Sequence, residues 1–255
     1  MALLEIKNLR KYFSGLAAVD DVDFSVNDGE IVGLIGPNGA GKTTLFNLIS
    51  GFNSPDRGKV FFDGEDITAL RADQVARKGL GRTFQSSTLF MQSTVFSNVF
   101  SAFYRQYQQP IWKAFLHTPK VNKEEQAIKR AAIEIIEFMG LAAHLGDELA
   151  TNLPHGQQRA LGICIALATE PRLLLLDEPL TGMNSSETME LVGKIRQIRE
   201  KGITILLVEH NMKAVMDLCD RITVLNYVRK IAEGTPEQIR KNREVAEAYL
   251  GREEA

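Results

Sequence analysis

Residues 36–43 read GPNGAGKT, which matches in full the pattern G-x-x-x-x-G-K-[ST] of a phosphate-binding loop. Glycines let backbone N–H groups curl around phosphate oxygens, and the dipole of a following helix adds a favourable field. Lys42 would reach the β- and γ-phosphates, and the Thr43 hydroxyl would ligate Mg²⁺. A tight glycine turn with a surface lysine is the alternative, but the pattern lies between a predicted strand at 30–35 and a predicted helix at 43–50, as the loop requires. The pattern therefore predicts a triphosphate site. Its predicted ligand-binding residues are Gly36, Pro37, Asn38, Gly39, Ala40, Gly41, Lys42, Thr43 and Thr44.

A second pattern that carries chemistry is LLLLDEP at residues 173–179. An apolar strand that ends in Asp177 brings a carboxylate to the carboxyl edge of a sheet, where open α/β sheets bind their ligands. Asp177 suits the shell of a Mg²⁺ ion, directly or through water, and Glu178 would polarise an attacking water as a general base. Two acidic residues at a strand exit are common by themselves. Downstream of a phosphate-binding loop, they predict a hydrolytic site.

Composition limits the class of protein. The chain has 255 residues, of which 44% are hydrophobic and 24% charged, as in ordinary globular proteins. The net charge of -2 provides no global electrostatic source for binding nucleic acid. Cys164 and Cys219 form neither a ligand cluster nor a disulfide framework, which favours a reducing compartment. The N-terminus lacks the basic and apolar segments of a signal peptide. We expect an intracellular protein with no nucleic-acid partner.

The elements that must position these residues are those of an α/β fold. Short apolar runs alternate with helical patterns, which favours a mostly parallel sheet flanked by helices. Continuous apolar runs at 172–176 and 203–208 fit central strands that are buried on both faces. Residues 2–26 and 59–67 alternate like antiparallel strands. Apolar residues at helical spacing over 124–145 predict a helix within a mostly helical region.

The loop at 36–43 and the segment 173–179 resemble motifs of the ATP-binding cassette family, the ATPase subunits of ABC transporters, and they occur in the order that the family shows. The resemblance covers essentially the whole chain. It implies a P-loop NTPase fold with a mostly parallel core sheet, an antiparallel β-subdomain and a helical subdomain. It also implies how the single domain divides: residues 1–84 and 158–233 form the nucleotide-binding core, 85–157 the helical subdomain and 234–255 a C-terminal helical tail.

The resemblance assigns further site residues. Gln85, in RTFQ, matches the family's glutamine loop, which contacts Mg²⁺ and water. His210, in VEHN, matches the switch histidine that contacts the γ-phosphate. Phe13 lies where the family places an aromatic that stacks on adenine, although an isolated phenylalanine would fit a hairpin core equally well. The implied catalytic residues are Lys42, Gln85, Glu178 and His210, and the implied metal ligands are Thr43, Gln85 and Asp177.

Two segments depart from the family pattern. The signature commonly reads Leu-Ser-Gly-Gly-Gln, and here residues 153–157 read LPHGQ. The serine hydroxyl that would bond a γ-phosphate is missing, although His155 offers another donor. Asn184 stands where the loop after Glu178 usually ends in aspartate. In this family each signature acts on the nucleotide of the opposite subunit, so the change concerns the partner's site. The implied nucleotide contacts of the signature are Leu153, His155, Gly156 and Gln157.

Three features resemble the ATPase subunits of branched-chain amino-acid importers: the insertion around 110–130, the signature 153–159 and the tail 234–251. The resemblance implies ATP and Mg²⁺ as cofactors. It implies integral membrane permease subunits, a second ABC ATPase and, indirectly, a solute-binding protein as partners. A heterodimer is favoured over a homodimer. The chain would be a peripheral subunit at the cytoplasmic face of the membrane. The transported solute does not touch this chain and is not readable from it.

Aromatic residues are concentrated between positions 84 and 115. Phe96, Phe100, Phe103 and Tyr107 are spaced as one helix face, which most simply predicts the core of the helical subdomain. Other aromatics there, such as Phe90 and Trp112, would line a groove for a cytoplasmic helix of a membrane partner.

Two other functional classes compete with a transport ATPase. Soluble cassette ATPases of DNA repair insert long coiled coils between the glutamine and signature segments, and those of translation carry two cassettes. Here that gap is only about 67 residues without sustained heptads, and there is one cassette. A small P-loop kinase or GTPase would have no reason for the Gln157 signature or His210, and no guanine-reading Asn-Lys-x-Asp motif is present.

Overall fold

The computed structural model describes residues 2–83, 89–103, 119–144 and 146–250, and Gln85, Tyr107 and Trp112 lie outside these ranges. The strands are β1 (Ala2–Phe13), β2 (Leu16–Asn27), β3 (Ile31–Ile35), β4 (Arg57–Phe62), β5 (Glu65–Asp66), β6 (Leu80–Arg82), β7 (Leu173–Asp177), β8 (Thr204–Val208), β9 (Arg221–Asn226) and β10 (Arg229–Gly234). The helices are α1 (Lys42–Ile49), α2 (Ala72–Arg77), α3 (Val95–Ala102), α4 (Pro119–Phe138), α5 (His155–Leu167), α6 (Ser185–Glu200), α7 (Met212–Leu218), α8 (Pro236–Arg240) and α9 (Arg243–Leu250).

Six strands form the central sheet in the order β10-β9-β3-β8-β7-β6. Neighbouring strands are parallel except for β10, which pairs antiparallel with β9. The predicted mostly parallel sheet is therefore confirmed. Val208 of β8 lies in register with Leu34 of β3 on one side and Asp177 of β7 on the other. The carboxyl ends of these three strands consequently meet at one edge of the sheet.

Successive side chains of the central strands face two different cores. In β3, Ile31 and Ile35 belong to one core, and Val32 and Leu34 to the other. Strands β7 and β8 alternate in the same way. Burying one leucine or isoleucine completely is worth about 1.5–3 kcal/mol, so a strand with two buried faces is continuously apolar. The predictions for the runs at 172–176 and 203–208 are confirmed.

A second sheet is antiparallel, with the order β2-β1-β4-β5. It confirms the prediction from the alternating segments 2–26 and 59–67. Helix α1 contributes Leu45 and Phe46 to the core that this sheet shares with one face of the central sheet. The antiparallel sheet therefore covers the helix that follows the phosphate-binding loop.

Helix α3 buries a different face from the one predicted. Its buried apolar positions are Val95, Val99 and, just beyond its end, Phe103. Phe96 and Phe100 are half-buried and stack on each other, with ring centroids 5.5 Å apart. The predicted core is confirmed for Phe103, Phe96 packs against that core from a half-buried position, and the prediction is wrong for Phe100. The reason is that the i, i+4, i+8 stripe that faces the core starts at Val95, one residue before the aromatic stripe.

Helix α4 ends at Phe138, and Gly140, two residues later, has a positive φ of 80°. The helix therefore ends before residue 145, where the predicted helix ended. Within the described ranges, no helix is both long and apolar enough to cross a bilayer. Cys164 and Cys219 are both buried, and both are free thiols.

Candidate nucleotide site

The loop 36–41 joins β3 to α1 and depends on glycine at two places. Gly41 has a φ of 95°, and a Cβ there would lie 2.4 Å from the carbonyl oxygen of Ala18. A Cβ at Gly36 would lie 2.2 Å from the carbonyl oxygen of Leu225. Only glycine fits these close approaches of backbone to backbone. Helix α1 begins directly after the loop, so its N-terminal amides and dipole favour an anion there.

Lys42 is folded over this loop. Its side chain is buried, and Nζ donates to the carbonyl oxygens of Gly36 at 2.7 Å and Pro37 at 2.9 Å. Burial lowers the pKa of Lys42, whereas the charges of Glu178 and Asp177 act to raise it. The ammonium group is thus held above the loop, in the field of both carboxylates.

Asp177 ends β7 and is 4% exposed. Its Oδ2 accepts a hydrogen bond from Nη2 of Arg82 at 3.1 Å. Its Oδ1 is buried and has no hydrogen-bond partner within the described part of the chain. Burial raises the pKa of Asp177, and the charge of Arg82 opposes that rise. A buried carboxylate oxygen without a partner, together with the exposed Thr43 hydroxyl group in the first turn of α1, fits the oxygen ligands that hard divalent cations prefer.

Glu178 and His210 meet across the exits of β7 and β8. The distance between His210 Nε2 and Glu178 Oε1 is 3.0 Å. Glu178 has a φ of 49°, and its N–H donates to the carbonyl oxygen of Val208 at 2.9 Å. That bond turns the chain so that the carboxylate leaves the sheet beside the histidine. Both side chains keep access to solvent, as an acid–base pair that acts on water requires.

Glu209 belongs to the same arrangement, although sequence reasoning did not single it out. It is 2% exposed, and its carboxylate accepts hydrogen bonds from N–H groups on both loops: Leu180 at 2.7 Å, His210 at 3.0 Å and Asn211 at 3.4 Å. Burial raises its pKa, and the backbone donors oppose that rise. The available signal was an acidic residue directly after a buried strand, the same signal that marked Asp177.

Phe13 ends β1, and its side chain is 47% exposed, so the hairpin-core alternative is contradicted. Lys11 Nζ lies 5.5 Å from the centroid of its ring. The hairpin that carries Phe13 reaches the phosphate loop, because the Ala18 carbonyl approaches Gly41. An exposed aromatic next to a phosphate site is available for stacking. Tyr12, the preceding residue of β1, is a second exposed aromatic.

The signature residues lie in a different cleft from the phosphate loop. Gly156 and Gln157 line a cavity of about 140 Å³ together with Met183 and Glu187 of the loop and helix after β7. Pro154 is the N-cap of α5 and provides no side-chain hydrogen bond to it. Three further features complete the segment: Leu153 is buried, His155 is exposed, and Gln158 donates through Nε2 to the Leu153 carbonyl at 2.9 Å.

Asn184, the other departure from the family pattern, has a local role. Its side-chain oxygen accepts hydrogen bonds from the N–H groups of Ser186 at 2.9 Å and Glu187 at 3.0 Å. Glu187 in turn accepts from the Asn184 N–H at 2.9 Å, which completes a capping box at the start of α6. Asparagine and aspartate cap helices comparably well, so the replacement preserves this start.

The C-terminal helix α9 reaches the phosphate loop, which sequence reasoning also missed. A cavity of about 670 Å³ is lined by Asn38 and Gly39 of the loop and by Glu244 and Glu247 of α9. Burial raises the pKa of Tyr249 to about 12, and a hydrogen bond from the Gly36 backbone opposes that rise. The tail therefore forms one wall of the cavity beside the loop.

The model of the ABC transporter family matches residues 19–181, which contain the phosphate loop, the signature, Asp177 and Glu178. The chain belongs to this family. A second family model, described as branched-chain amino acid ATP-binding cassette transporter, matches residues 229–255 of the cassette. The cassette is thus a nucleotide-binding ATPase with the predicted P-loop NTPase fold.

Relatives match the cassette from end to end. The high-affinity branched-chain amino acid transport ATP-binding protein LivG of Escherichia coli K12 is 43% identical over 251 residues, which is 98% of each chain. BraF of Pseudomonas aeruginosa, with the same description, is 41% identical over 250 residues, again 98% of each chain. A crystal structure of the ADP conformation of an ATP-binding cassette of an ABC transporter is 32% identical and superimposes with a TM-score of 0.85 over 98% of this chain and 99% of that one.

The structure brings Lys42, Asp177, Glu178 and His210 to one edge of the central sheet. It leaves the signature in another cleft, and it places Phe13 on the hairpin whose Ala18 carbonyl approaches Gly41. Gln85 lies outside the described residues. The individual roles assigned to these residues remain predictions.

Proposed function

We propose that this cassette is the ATP-hydrolysing subunit of an importer for branched-chain or related amino acids. It would close a nucleotide sandwich with a second cassette and reopen after hydrolysis. The observation that carries the hydrolytic part is the 3.0 Å contact between Glu178 and His210 at the sheet edge that also holds Lys42. The similarity of the whole chain to LivG and BraF, and of its tail to the branched-chain model, supports the transported class.

In this proposal the phosphates of ATP lie on the loop 36–41, and the adenine stacks on Phe13. Lys42 would exchange its bonds to loop carbonyls for the β- and γ-phosphates. Glu178 would accept the proton of the attacking water, and His210 would orient that carboxylate and contact the γ-phosphate.

Magnesium is the metal that this donor set suits. Thr43, Asp177 and Gln85 would hold it, and when bound it neutralises phosphate charge. Asp177 supports this assignment, because its buried Oδ1 has no hydrogen-bond partner in the described part of the cassette. The cassette's own residues would then bind the phosphates and move the proton.

The separate position of the signature supports the proposed dimer. Gly156 and Gln157 face a cleft shared with Glu187 rather than the phosphate loop, so the signature that completes this nucleotide site would come from a second ATPase. Membrane permease subunits would hold the pair at the cytoplasmic face, and a solute-binding protein would deliver the solute. Phe90, which is 62% exposed, stays a candidate contact with a permease helix. The division into core, helical subdomain and tail given above is part of this proposal.

The test is reconstitution. The cassette would be co-expressed with the permease and second ATPase subunits of the same gene cluster, and the complex placed in liposomes. We expect ATP-dependent uptake of leucine, isoleucine or valine that needs the binding protein and is abolished by Glu178→Gln. A cassette that hydrolyses ATP rapidly by itself, and that no membrane subunit binds or stimulates, would instead support a soluble ATPase not coupled to transport.

A further inference from the structure

Arg82 is a buried arginine at the edge of the nucleotide site. It ends β6, the outer strand next to β7, and its side chain is 6% exposed. Nη2 donates to Asp177 Oδ2 at 3.1 Å. Nη1 donates to Asn47 Oδ1 and Ser50 Oγ, both at 2.8 Å. The guanidinium group is thus held at two nitrogens by three side chains, one from β7 and two from the C-terminal end of α1.

Aromatic rings complete the enclosure of this guanidinium group. Its central carbon lies 5.6 Å from the ring centroid of Phe46 and 5.7 Å from that of Phe52. A planar guanidinium group stacks on aromatic faces and forms hydrogen bonds in its own plane at the same time, which an ammonium group cannot do. The orientation of the fork is therefore determined by groups other than the carboxylate that it binds.

Stability alone does not account for such a pair. Removing two charges from water carries a desolvation cost that a buried ion pair often does not recover, and an apolar residue of similar volume is frequently as stable. The pair does have one geometric consequence. Arg82 donates a hydrogen bond to Oδ2 of Asp177, whereas Oδ1 has no hydrogen-bond partner within the described residues.

We infer that Arg82 is a positioning residue that fixes the Asp177 carboxylate so that Oδ1 is presented to the divalent cation bound with the nucleotide. This inference rests on the proposed function. Because Asn47 and Ser50 anchor the fork, the carboxylate cannot rotate without losing its bond to Nη2. Partners that orient metal ligands in this way typically account for about 10- to 100-fold in metal affinity.

A positioning role for Arg82 affects cation binding and nucleotide binding differently, whereas a purely structural role affects both. Nucleotide binding without a divalent cation depends on the loop and the base, neither of which Arg82 contacts in the described structure. Binding of the cation to the nucleotide complex depends on Asp177. Loss of Arg82 should therefore weaken binding of the cation to the nucleotide complex and leave nucleotide binding without the cation unchanged.

The experiment uses the full chain and two probes. ATP affinity is measured calorimetrically in EDTA, and Mn²⁺ affinity for the ATP complex is measured by electron paramagnetic resonance. The variants are Arg82→Met, which keeps the apolar volume without the charge, and Arg82→Lys, which keeps the charge without the fork. Arg221→Met and Arg221→Lys are matched controls, because Arg221 at the start of β9 is also held by a carboxylate, with Nε 2.8 Å from Glu30 Oε1. It lies at the amino-terminal end of the parallel strands, opposite the end that carries Asp177.

We expect Arg82→Met to lower Mn²⁺ affinity by about 10- to 100-fold, with ATP affinity in EDTA unchanged within about twofold. The Mn²⁺ affinity of Arg82→Lys should lie between those of Arg82→Met and the wild type. This variant provides the measurement if Arg82→Met does not fold. The Arg221 variants should melt at a lower temperature and keep wild-type Mn²⁺ affinity.

Equal Mn²⁺ affinity in the wild type and both Arg82 variants would overturn the inference and leave the proposed function intact. A loss of ATP affinity in EDTA as large as the loss of Mn²⁺ affinity would also overturn it, because that pattern indicates a general collapse of the site. A wild-type cassette that binds neither ATP nor its Mn²⁺ complex would contradict the proposed function itself.

Discussion

The Nε2 atom of His210 lies 3.0 Å from Oε1 of Glu178, although 32 positions separate the two residues. Strands β7 and β8 are parallel neighbours, and Asp177 lies opposite Val208 in their register. The residues one and two positions beyond the strand ends are therefore close in space. Glu209 then fixes both loops through backbone hydrogen bonds, so the pair is held before any ligand binds.

The first prediction concerns this pair. Glu178→Gln removes the general base and keeps the shape of the side chain, so ATP turnover should fall by about 10²–10⁴-fold while equilibrium ATP binding is retained. The substituted protein should also accumulate as an ATP-bound dimer with its partner. Steady-state ATPase assays and calorimetry check both expectations. Glu170→Gln is a matched control, because Glu170 is an exposed glutamate with a φ of 50° outside the site. Near-normal ATP turnover of Glu178→Gln would contradict the assignment of Glu178 as the general base.

The second prediction concerns the adenine. If Phe13 stacks on the base, Phe13→Ala should weaken ATP binding by about 1–3 kcal/mol, by analogy with base stacking in nucleic-acid sites. The requirement for Mg²⁺ should not change, because Thr43 and Asp177 are untouched. ATP titrations of Phe13→Ala and Tyr12→Ala separate the two exposed aromatics. An unaltered affinity for Phe13→Ala with a reduced one for Tyr12→Ala would move the stacking role to Tyr12.

The third prediction concerns the altered signature. A lost hydrogen bond to a charged acceptor is worth about 1.5–3 kcal/mol, or roughly 10- to 150-fold in rate if it is lost only at the transition state. The isolated cassette should therefore turn over slowly, and a partner with a serine signature should accelerate it. Pro154→Ser should raise the isolated rate. Because Pro154 is the N-cap of α5 and serine is a favoured residue there, the helix should tolerate the change.

His155→Ala is the discriminating partner of that experiment. His155 is exposed at the first position of α5, where its ring is free to reach a neighbouring subunit. A brisk wild-type rate that collapses only in His155→Ala would mean that His155 already supplies the donor, and it would overturn the argument for a heterodimer.

The fourth prediction concerns Glu209 and pH. Burial raises its pKa above the ordinary value of 4.5, so the folded state favours the protonated carboxyl group. The stabilisation from this preference is complete below about pH 4.5 and is lost as the pH rises through the folded-state pKa. Glu209→Gln cannot titrate, so its free energy of unfolding should depend less on pH above 4.5 than that of the wild type. Urea unfolding at several pH values measures this, and parallel curves would contradict it.

Glu209→Ala provides the complementary measurement. It would leave the N–H groups of Leu180 and His210 without their acceptor, and each buried donor left unsatisfied costs about 1–3 kcal/mol. The free energy of unfolding should fall by at least that amount. ATP turnover should fall as well, because His210 loses the contact that holds its backbone.

The sequence alone predicted which residues stand at the exits of β3 and β7. The glycine-rich loop at 36–41 and the apolar run that ends in Asp177 are local patterns, because close backbone approach requires glycine and a strand buried on both faces is apolar. The antiparallel strands and the parallel core were predictable for the same reason, since side-chain periodicity reports burial directly.

Only the tertiary structure decided which strand ends lie next to each other and which side chains bind the residues there. The contact of His210 with Glu178 depends on strand order, which periodicity does not encode. The bond from Arg82 to Asp177 joins the edge strand to its neighbour, and the approach of α9 to the phosphate loop joins the chain's end to its beginning. The buried stripe of α3 shifted by one residue because packing against neighbouring helices, not aromatic content, selects the inward face. Such long-range pairings depend on the summed packing of the whole fold, so no single segment of the sequence carries them.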